Sequence, residues 1–577
     1  MSVLLHPDSL SPDPLYGRTL PLAADGWARF TLHPAALADG DAARPWVPRD
    51  RWQPWAGCTP EADRCQHAEV LIDFGSEVEA EVAVELEAPA AMNFYLTCGE
   101  SEAEARGWGG YGQGQWQQVR HWRIPAGRQR HVFPAVGLRF ARLQLHDLRP
   151  GARLLGCTAL CLTASPGQRG DLHVPGDPLL QRLWQTSLYT ARVCTRPDDI
   201  WDGPKRDRLG WYGDARICQL AMDAGHLRPG PALAMLAKLP TDDWVNGIPN
   251  FSCDAVLMLR DLLLRHGRDL PGLAERVAQA DALLAWIHGS QLDGDGLIRR
   301  TDRTILFGGG FVDWSQMPPG GDLPEQFCVQ ARHREALLAL AQVHDWLGDG
   351  KAAPLRERAT RLAQVLQARF TCPGGFHHTL RRIRPGFEKY APGWTDAHDL
   401  GPSGPGRHAS AWAVLADLVP EQRRGELLAG GFIGPDLITP MFSYYELEAR
   451  ARLGEPASAL AAMRDRLAAQ VVAHDSACIW ESFEPEDQGI TALGLHGWPK
   501  SLCHGWGAGL VPLCERWLLG IEALAPGYAR IRLHEPCLPL AFTATVPTPH
   551  GDLRLERPAD GAAVQVAAPA GVEILRG

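Results

Sequence analysis

Residues 202–214 of this 577-residue chain read DGPKRDRLGWYGD and hold three carboxylates, three cations, two aromatic rings and three glycines. Carboxylates at short spacing can donate and accept protons or bind hydroxyl groups of a polar ligand. Each glycine weakens a helix by up to ~1 kcal/mol, so three in thirteen residues indicate that another group approaches the backbone closely. The alternative is a solvated cluster of salt bridges, with Asp202 as the N-cap of a following helix.

The spacing within this segment predicts one shared face. If a helix begins near Pro204, then Asp207, Trp211 and Asp214 fall at i, i+4 and i+7, and the ring lies between two carboxylates. Asp202 precedes that helix as a cap or as a ligand for sugar hydroxyls.

Composition narrows the class of partner. The net charge is −10 and the pI is about 6.1, and no Lys/Arg run is long enough to follow a phosphate backbone. This argues against nucleic acid or an anionic membrane as partner. The N-terminus has no basic start and its apolar run stops at Leu5, and no segment approaches ~20 uninterrupted apolar residues. We therefore expect a soluble, cytoplasmic protein, unless a signal has been removed.

Fourteen cysteines are scattered from Cys58 to Cys537 without a CxxC pair or a zinc-like spacing. Reduced, mostly buried thiols are favoured over disulfides or a metal site, and no cofactor is expected. Tryptophan is the outlier, with 20 residues. Several stand beside Gly, Asp or Pro, where a ring is suited to lining a cleft and stacking on a sugar face; these are Trp201, Trp211, Trp244, Trp314, Trp394 and Trp506, and Trp480, beside Glu481, is grouped with them.

Hydrophobic periodicity divides the chain into three regions, which we predict to be a multidomain α plus β protein. Residues 1–168 alternate with period two and predict an N-terminal β-sandwich. Residues 169–523 carry about twelve helical segments, many closed by Gly or Pro, which favour an (α/α)6 toroid. Residues 524–577 return to strands, with PTPHGD as a hairpin turn, and predict a small C-terminal β-domain. The predicted helices are 178–195, 214–224, 229–238, 251–267, 272–289, 326–347, 353–370, 408–418, 420–428, 440–453, 456–471 and 501–520.

The segment DGPKRDRLGWYGDA resembles the signature of the α-L-rhamnosidases of glycoside hydrolase family 78, whose typical form is D-C-P-x-R-(D)-E-R-L-G-W-x-G-D. The resemblance extends over roughly residues 165–560. It includes FVDWSQ at 311–316, ITPMFSYYELEARARLG at 438–454, HDSACIWESF at 474–483 and SLCHGWGAGLVPLCERWLLGI at 501–521. The N-terminal region agrees with the family only in its general β character.

The resemblance implies roles for individual residues. Asp207 occupies the position of the general acid, where the family usually has Glu, and Glu481 that of the general base. Because Asp is one methylene shorter, either the backbone must come closer or the substrate must lie deeper. The implied reaction is inverting, with carboxylates roughly 6.5–9.5 Å apart. The residues implied to bind rhamnose hydroxyls are Asp202, Arg206 and Asp214, and the implied pocket walls or further hydroxyl contacts are Trp211, Asp313, Trp314, Trp480 and His504.

Electrostatics adds two expectations for this segment. An ordinary Asp, with a pKa near ~3.9, is a poor acid at neutral pH, so burial and neighbouring carboxylates must favour its protonated form. We therefore expect the Arg208 side chain to turn away from the pocket, and Arg206 to hold the sugar or a neighbouring carboxylate.

Other titratable residues allow further interpretations. Glu484 and Glu486 follow Glu481 closely, although the Trp-Glu match favours Glu481 as base. Asp396, His398 and His408 could suggest a metal site, but surface-loop residues are the better interpretation because no further ligand has suitable spacing. Tyr444 and Tyr445 lie on an apolar helix and are most simply core.

Three functions fit the sequence. The first is an exo-acting inverting α-L-rhamnosidase, and the second is another glycosidase on the same toroid, similar to glucoamylase, trehalase or unsaturated-glucuronyl hydrolase, since fold alone does not decide chemistry. The third is a catalytically idle sugar-binding protein. All three take a carbohydrate as partner, and the sequence leaves the oligomeric state open.

Overall fold

The computed structural model describes residues 5, 10–37, 67–106, 118–146, 152–165, 167–299, 310–313, 323–380, 402–432, 439–483 and 500–577.

The N-terminal region has the strands β1 Ala28–Leu32, β2 Ala36–Leu37, β3 His67–Ala88, β4 Met92–Gly99, β5 Gln118–Ile124, β6 Gly127–His146 and β7 Arg153–Thr163. They form one antiparallel sheet with the strand order β1-β7-β3-β6-β4-β5 and β2 paired to β3. The predicted alternation is present at the end of β3, where Val82, Val84 and Leu86 are buried and Glu81 and Glu87 are exposed, whereas residues 70–80 are buried on both faces. Its division into the two layers of a sandwich stays a prediction. Helix α1, Glu102–Arg106, follows β4.

Each of the twelve predicted helices has a counterpart in the helical region. Their starts follow ordinary capping chemistry: Asp177 accepts the Leu180 N–H before one helix, and Thr439 accepts the Phe442 N–H before another. The helices are α2 Pro178–Cys194, α3 Tyr212–Gly225, α4 Gly230–Leu236, α5 Pro249–His266, α6 Leu273–Ser290, α7 Phe327–Leu347, α8 Ala352–Phe370, α9 Arg407–Leu415, α10 Arg424–Gly430, α11 Pro440–Arg452 and α12 Pro456–Val471. The twelfth prediction corresponds to a composite segment, with a 3-10 turn Gly505–Gly509, α13 Leu510–Leu513 and a π turn Cys514–Leu518.

Helix contacts follow a closed order within the described residues. Helix α3 packs on α5, α5 on α7, α7 on α9 and α9 on α11, and both α11 and α3 pack on the Gly505–Gly509 turn. Helices α4 and α6 pack against α5, α8 against α7, and α12 against α11 and α2. One hydrophobic core runs through these helices, and a separate core fills one face of the N-terminal sheet.

The C-terminal strands form two small sheets. They are β11 Ile521–Ala523, β12 Arg530–Leu533, β13 Phe542–Thr548, β14 Gly551–Arg557, β15 Gln565–Ala567 and β16 Glu573–Arg576. The predicted hairpin is present, since Thr548 pairs with Gly551 and leaves a two-residue turn. Strand β8 (Asp171–His173) precedes the first long helix, yet it pairs with β13. The C-terminal sheet thus includes a strand from the start of the helical region. A short hairpin of β9 Thr371–Cys372 and β10 Gly375–Phe376 follows α8.

The twelve cysteines that the structure describes are free thiols, and all are buried except the half-buried Cys537, as predicted. Cys58 and Cys65 lie outside the described residues. No helix among the described segments is long and apolar enough to cross a bilayer.

Candidate active site

The segment before α3 is a turn, so the helix predicted from Pro204 is wrong. Residues 204–207 form a turn and α3 begins only at Tyr212. The Asp202 carboxylate accepts the Asp207 N–H at 2.6 Å and the Leu209 N–H at 3.1 Å. These bonds replace helical ones, which is how a short acidic side chain competes with a helix.

The turn nevertheless brings the predicted side chains together. Seven of the ten predicted site residues line one cavity. They are Asp202, Arg206, Asp207, Trp211, Asp214, Glu481 and His504, and the other lining residues are Phe251, Phe311 and Trp506.

Arg206 connects the predicted acid and base. Its Nη1 donates to Asp207 Oδ1 at 3.0 Å, and its Nη2 donates to Glu481 Oε2. The Asp207 side chain is 28% exposed and the Glu481 side chain only 2%, so Asp207 lies at the open side and Glu481 at the bottom. The expectation that Arg206 holds a neighbouring carboxylate is confirmed for two carboxylates.

Positive charge surrounds Glu481. Its Oε2 also accepts the Ser501 N–H at 2.8 Å, and Lys500 Nζ lies 3.7 Å from its Oε1. Burial by itself raises the pKa of Glu481, but Arg206 and Lys500 together hold it well below its usual range. Glu481 is therefore ionised and can accept a proton.

Asp202, Asp214 and His504, by contrast, have pKa values that favour their neutral forms. Burial, followed by the negative charge of Asp207, raises the pKa of Asp202 to about 7. Burial and the charges of Asp202 and Glu481 raise the pKa of Asp214 well above its usual range. Burial also lowers the pKa of His504 to about 3. Its Nε2 lies 3.8 Å from Asp202 Oδ2 and its Nδ1 lies 3.6 Å from Asp214 Oδ1. This side of the cavity thus favours neutral groups, which suits recognition of uncharged hydroxyls.

An arc of aromatic rings forms the wall. Trp211 meets Phe251 edge-on with ring centroids 6.2 Å apart, and Phe251 meets Phe311 at 5.8 Å. Phe311 stacks on Trp506 at 6.1 Å, and Trp506 lies 4.3 Å from the His504 ring. Such a wall can contact the C–H face of a sugar ring. The sequence predicts Trp211 as a site residue and indicates Trp506 through its glycine neighbours, whereas Phe251 and Phe311 carry no local signal.

The glycines serve packing within the protein. A Cβ on Gly213 would overlap the Phe251 ring, one on Gly210 would lie 2.5 Å from Asp199 Oδ1, and one on Gly203 would lie 2.7 Å from the Arg206 carbonyl oxygen. The sequence predicted a close approach at these positions. The approaching atoms in the structure are those of the chain itself.

Arg208 turns away from the cavity, as expected. Its Nη2 lies 3.3 Å from Glu79 Oε1 on β3, and its guanidinium lies 4.9 Å from the centroid of the Trp201 ring. The positive charge of Arg208, the residue that follows Asp207, is therefore directed to the N-terminal sheet.

Three predicted site residues are not part of this lining. Asp313 is fully buried, accepts a hydrogen bond from Thr439 Oγ1, and lies 3.3 Å from His408 Nε2. Trp480 points to the other side of its segment, where its indole N–H donates to Ser476 Oγ at 2.9 Å. Trp314 lies outside the described residues.

The secondary alternatives have mixed outcomes. His408 is buried against Asp313, so its interpretation as a surface-loop residue is wrong. Tyr444 and Tyr445 are core residues, as predicted. Asp396, His398, Glu484 and Glu486 lie outside the described residues.

In fold, the chain belongs with the solved α-L-rhamnosidases. A glycoside hydrolase family 78 rhamnosidase from Bacillus sp. GL1 superimposes with a TM-score of 0.73 at 20% identity, covering 89% of this chain and 53% of that chain. The rhamnosidase from Klebsiella oxytoca, solved with rhamnose bound, has a TM-score of 0.67 at 19% identity, covering 85% of this chain and 96% of that chain. The α-L-rhamnosidase from Streptomyces avermitilis, complexed with L-rhamnose, gives 0.64 at 15% identity, covering 88% and 48%.

The chain therefore spans about half the length of the Bacillus and Streptomyces proteins and nearly all of the Klebsiella protein. No protein-family model matches the sequence, and no curated protein matches it in sequence. At these identities the likeness establishes the fold.

Proposed function

We propose that the protein is an exo-acting, inverting glycoside hydrolase that releases terminal α-L-rhamnose, with Asp207 as general acid and Glu481 as general base. The observation that carries the proposal is the cavity in which one guanidinium, that of Arg206, contacts both carboxylates. The rhamnosidase fold and the rhamnose-bound neighbours support the choice of sugar. Asp202, Asp214 and His504 would contact the sugar hydroxyls.

The roles follow from the two environments. Glu481 is buried and ionised, so it can take a proton from a water molecule that attacks the anomeric carbon. Asp207 is at the open side, where the leaving group would lie, and would donate its proton to the glycosidic oxygen as the C–O bond breaks. A protonated carboxyl can donate from one oxygen while the other still accepts from Arg206.

Inversion is the stereochemical outcome that this arrangement favours. An inverting pair is separated by roughly 6.5–9.5 Å to admit a water molecule. One guanidinium with a hydrogen bond at each end fits between carboxylates at such a spacing. After turnover, the proton gained by Glu481 passes to solvent and Asp207 is protonated again.

We further infer that the helical region is an (α/α)6 toroid flanked by N-terminal and C-terminal β-domains. The closed order of contacts from α3 through α11 to the Gly505–Gly509 turn supports the toroid. The cavity receives Asp214 from α3, Phe251 from α5 and Trp506 from that turn, as a mouth at the end of a helical ring requires.

The test is hydrolysis of a panel of 4-nitrophenyl glycosides, followed by proton NMR of the first sugar released. We expect cleavage of the α-L-rhamnoside, little cleavage of the α-D-glucoside, and β-L-rhamnose as the initial product. Preferred cleavage of another glycoside would identify a different glycosidase on the same toroid. An initial α anomer would exclude inversion. Binding of L-rhamnose by calorimetry without any cleavage would identify a sugar-binding protein instead.

A further inference from the structure

A carboxylate at the edge of the N-terminal sheet contacts the segment that carries the proposed acid and the segment whose Ser501 N–H binds the proposed base. Glu100 directly follows β4, and its side chain is fully buried. Its Oε2 lies 2.8 Å from Lys205 Nζ and accepts the Leu502 N–H at 2.7 Å. Its Oε1 accepts the Ser501 hydroxyl at 3.0 Å. One side chain thus connects segments that are about three hundred residues apart.

Glu100 contacts Lys205, which lies two residues before Asp207, and Ser501, which donates a hydrogen bond to Glu481. Lys205 directly precedes Arg206 and Asp207, so its position determines where the turn of the proposed acid lies. Ser501 uses its hydroxyl on Glu100 and its backbone N–H on Glu481 Oε2, at 2.8 Å. The Ser501 peptide is therefore held by one carboxylate while it orients another.

The contacts are too well buried to be incidental. Lys205 is 2% exposed and has a second carboxylate, Glu104 of α1, at 2.9 Å. Glu104 also accepts the Glu100 N–H at 2.8 Å, which orients the segment after β4. Buried charges persist only when they are paired and hydrogen-bonded, and both conditions are met for Lys205.

We propose that Glu100 is a positioning residue for catalysis, one that holds the Asp207 turn and the Ser501 peptide at a fixed distance across the Arg206 guanidinium. This inference rests on the proposed function, because it assigns Glu100 a role through Asp207 and Glu481. It also gives the N-terminal sheet a part in the reaction: the sheet supplies the support that fixes the spacing of acid and base.

The test compares Glu100→Gln with Asp73→Asn. Asp73 forms a buried pair with Arg139 in the same sheet, at 2.9 Å, and Arg139 donates to the Asp475 carbonyl of the helical region rather than to either of the two segments. Both variants lose a buried charge pair, so both should lower the unfolding temperature. Only Glu100→Gln should lower kcat, by about 10- to 100-fold with KM nearly unchanged, because misplacement of reacting groups is costly in the chemical step. Its acidic pH limb should move upward as Glu481 loses the fixed Ser501 N–H.

A double variant separates positioning from charge balance. If Glu100 only neutralises Lys205, then Glu100→Gln combined with Lys205→Met restores kcat; if it positions both segments, the double variant is no better than Glu100→Gln. Equal kcat losses in Glu100→Gln and Asp73→Asn, or an unchanged pH profile, would also overturn the proposal.

Hydrogen exchange keeps the inference independent of the substrate. Peptides covering 202–209 and 500–505 should exchange faster in Glu100→Gln than in the wild type and Asp73→Asn, whatever glycoside the protein cleaves. If the wild type does not cleave the rhamnoside but the variants differ in exchange as described, the proposed function is rejected and the role of Glu100 in holding the two segments is retained. Activity without the exchange pattern rejects the role of Glu100.

Discussion

The guanidinium of Arg206 lies between the carboxylates of Asp207 and Glu481 and donates a hydrogen bond to each. Burial lowers the pKa of Arg206, but Glu481, Asp207 and Asp202 outweigh it and raise this pKa well above its usual range, so Arg206 stays charged. A planar fork can bond two carboxylates at once, which a lysine ammonium cannot do with the same geometry.

Arg206→Lys should therefore lower kcat about 100-fold while the protein stays folded, since both carboxylates lose a fixed partner. Arg208→Lys is the matched control, because Arg208 pairs with Glu79 outside the cavity and should retain nearly full activity. Steady-state kinetics on the aryl rhamnoside measures both. Equal losses in the two variants would argue against a role for the bridge.

Asp207→Asn should lower kcat about 10³- to 10⁴-fold on a rhamnoside with a poor leaving group, within the range of general acid catalysis. The loss should be much smaller on a 4-nitrophenyl rhamnoside, because that leaving group departs without a proton. Asp207→Glu introduces the residue that is usual in the family this segment resembles, and it should retain activity on both substrates. Full activity of Asp207→Asn on both would exclude Asp207 as the acid.

Glu481→Gln should abolish hydrolysis of both substrates, because the attacking water loses its base irrespective of the leaving group. Azide attacks without a base, so it should restore turnover of the 4-nitrophenyl substrate and yield the β-linked rhamnosyl azide. Mass spectrometry and NMR identify the product. An azide of retained configuration would contradict the assignment of Glu481 as the base of an inverting enzyme.

The pH dependence of stability should change in Asp202→Asn. The folded-state pKa of Asp202 is about 7, against an ordinary value of 3.8, so folding takes up a proton between these values. The stabilisation is fully present below about pH 4 and is lost as pH rises through 7. Relative to the variant, the wild type should thus lose unfolding temperature between about pH 4 and pH 7, as scanning calorimetry would measure. A pH-independent difference would show that Asp202 is ionised throughout.

Gly213→Ala should destabilise the protein by about 1–3 kcal/mol, since the added methyl overlaps the Phe251 ring in a packed core. Gly230→Ala is the control, because a Cβ there meets nothing within 4 Å. The control should be neutral or slightly stabilising. Denaturant unfolding compares the two, and equal effects would mean that the Phe251 ring relaxes freely.

The long elements could be predicted from the sequence because their apolar periodicity is strong. The turn after Asp202 could not, because its conformation depends on hydrogen bonds from Asp207 and Leu209 to a side chain that would serve equally well as a helix cap. Seven of the ten predicted site residues still line one cavity, since the residue types rather than the backbone conformation carry the resemblance.

Phe251 and Phe311 were missed because phenylalanine on a helix or in an apolar loop predicts core, and only the tertiary fold directs these rings to a cavity. Trp480 was placed in the pocket although it adjoins Glu481. Neighbouring side chains in an extended segment point to opposite sides, so a prediction that placed Glu481 in the cavity had grounds to place Trp480 outside it.

The pairing of β8 with β13 bears on how the protein is made. Strand β8 is synthesised early, at residues 171–173, but its partner β13 follows some 370 residues later. Ser501, His504 and Trp506 also come late, and the turn that contacts both α3 and α11 begins at Gly505. The N-terminal sheet can therefore form early on the nascent chain, whereas the cavity can form only when translation is nearly complete. Any premature stop before residue 500 would leave a polypeptide that has Asp207, the proposed acid, but lacks the 501–506 segment that completes the cavity.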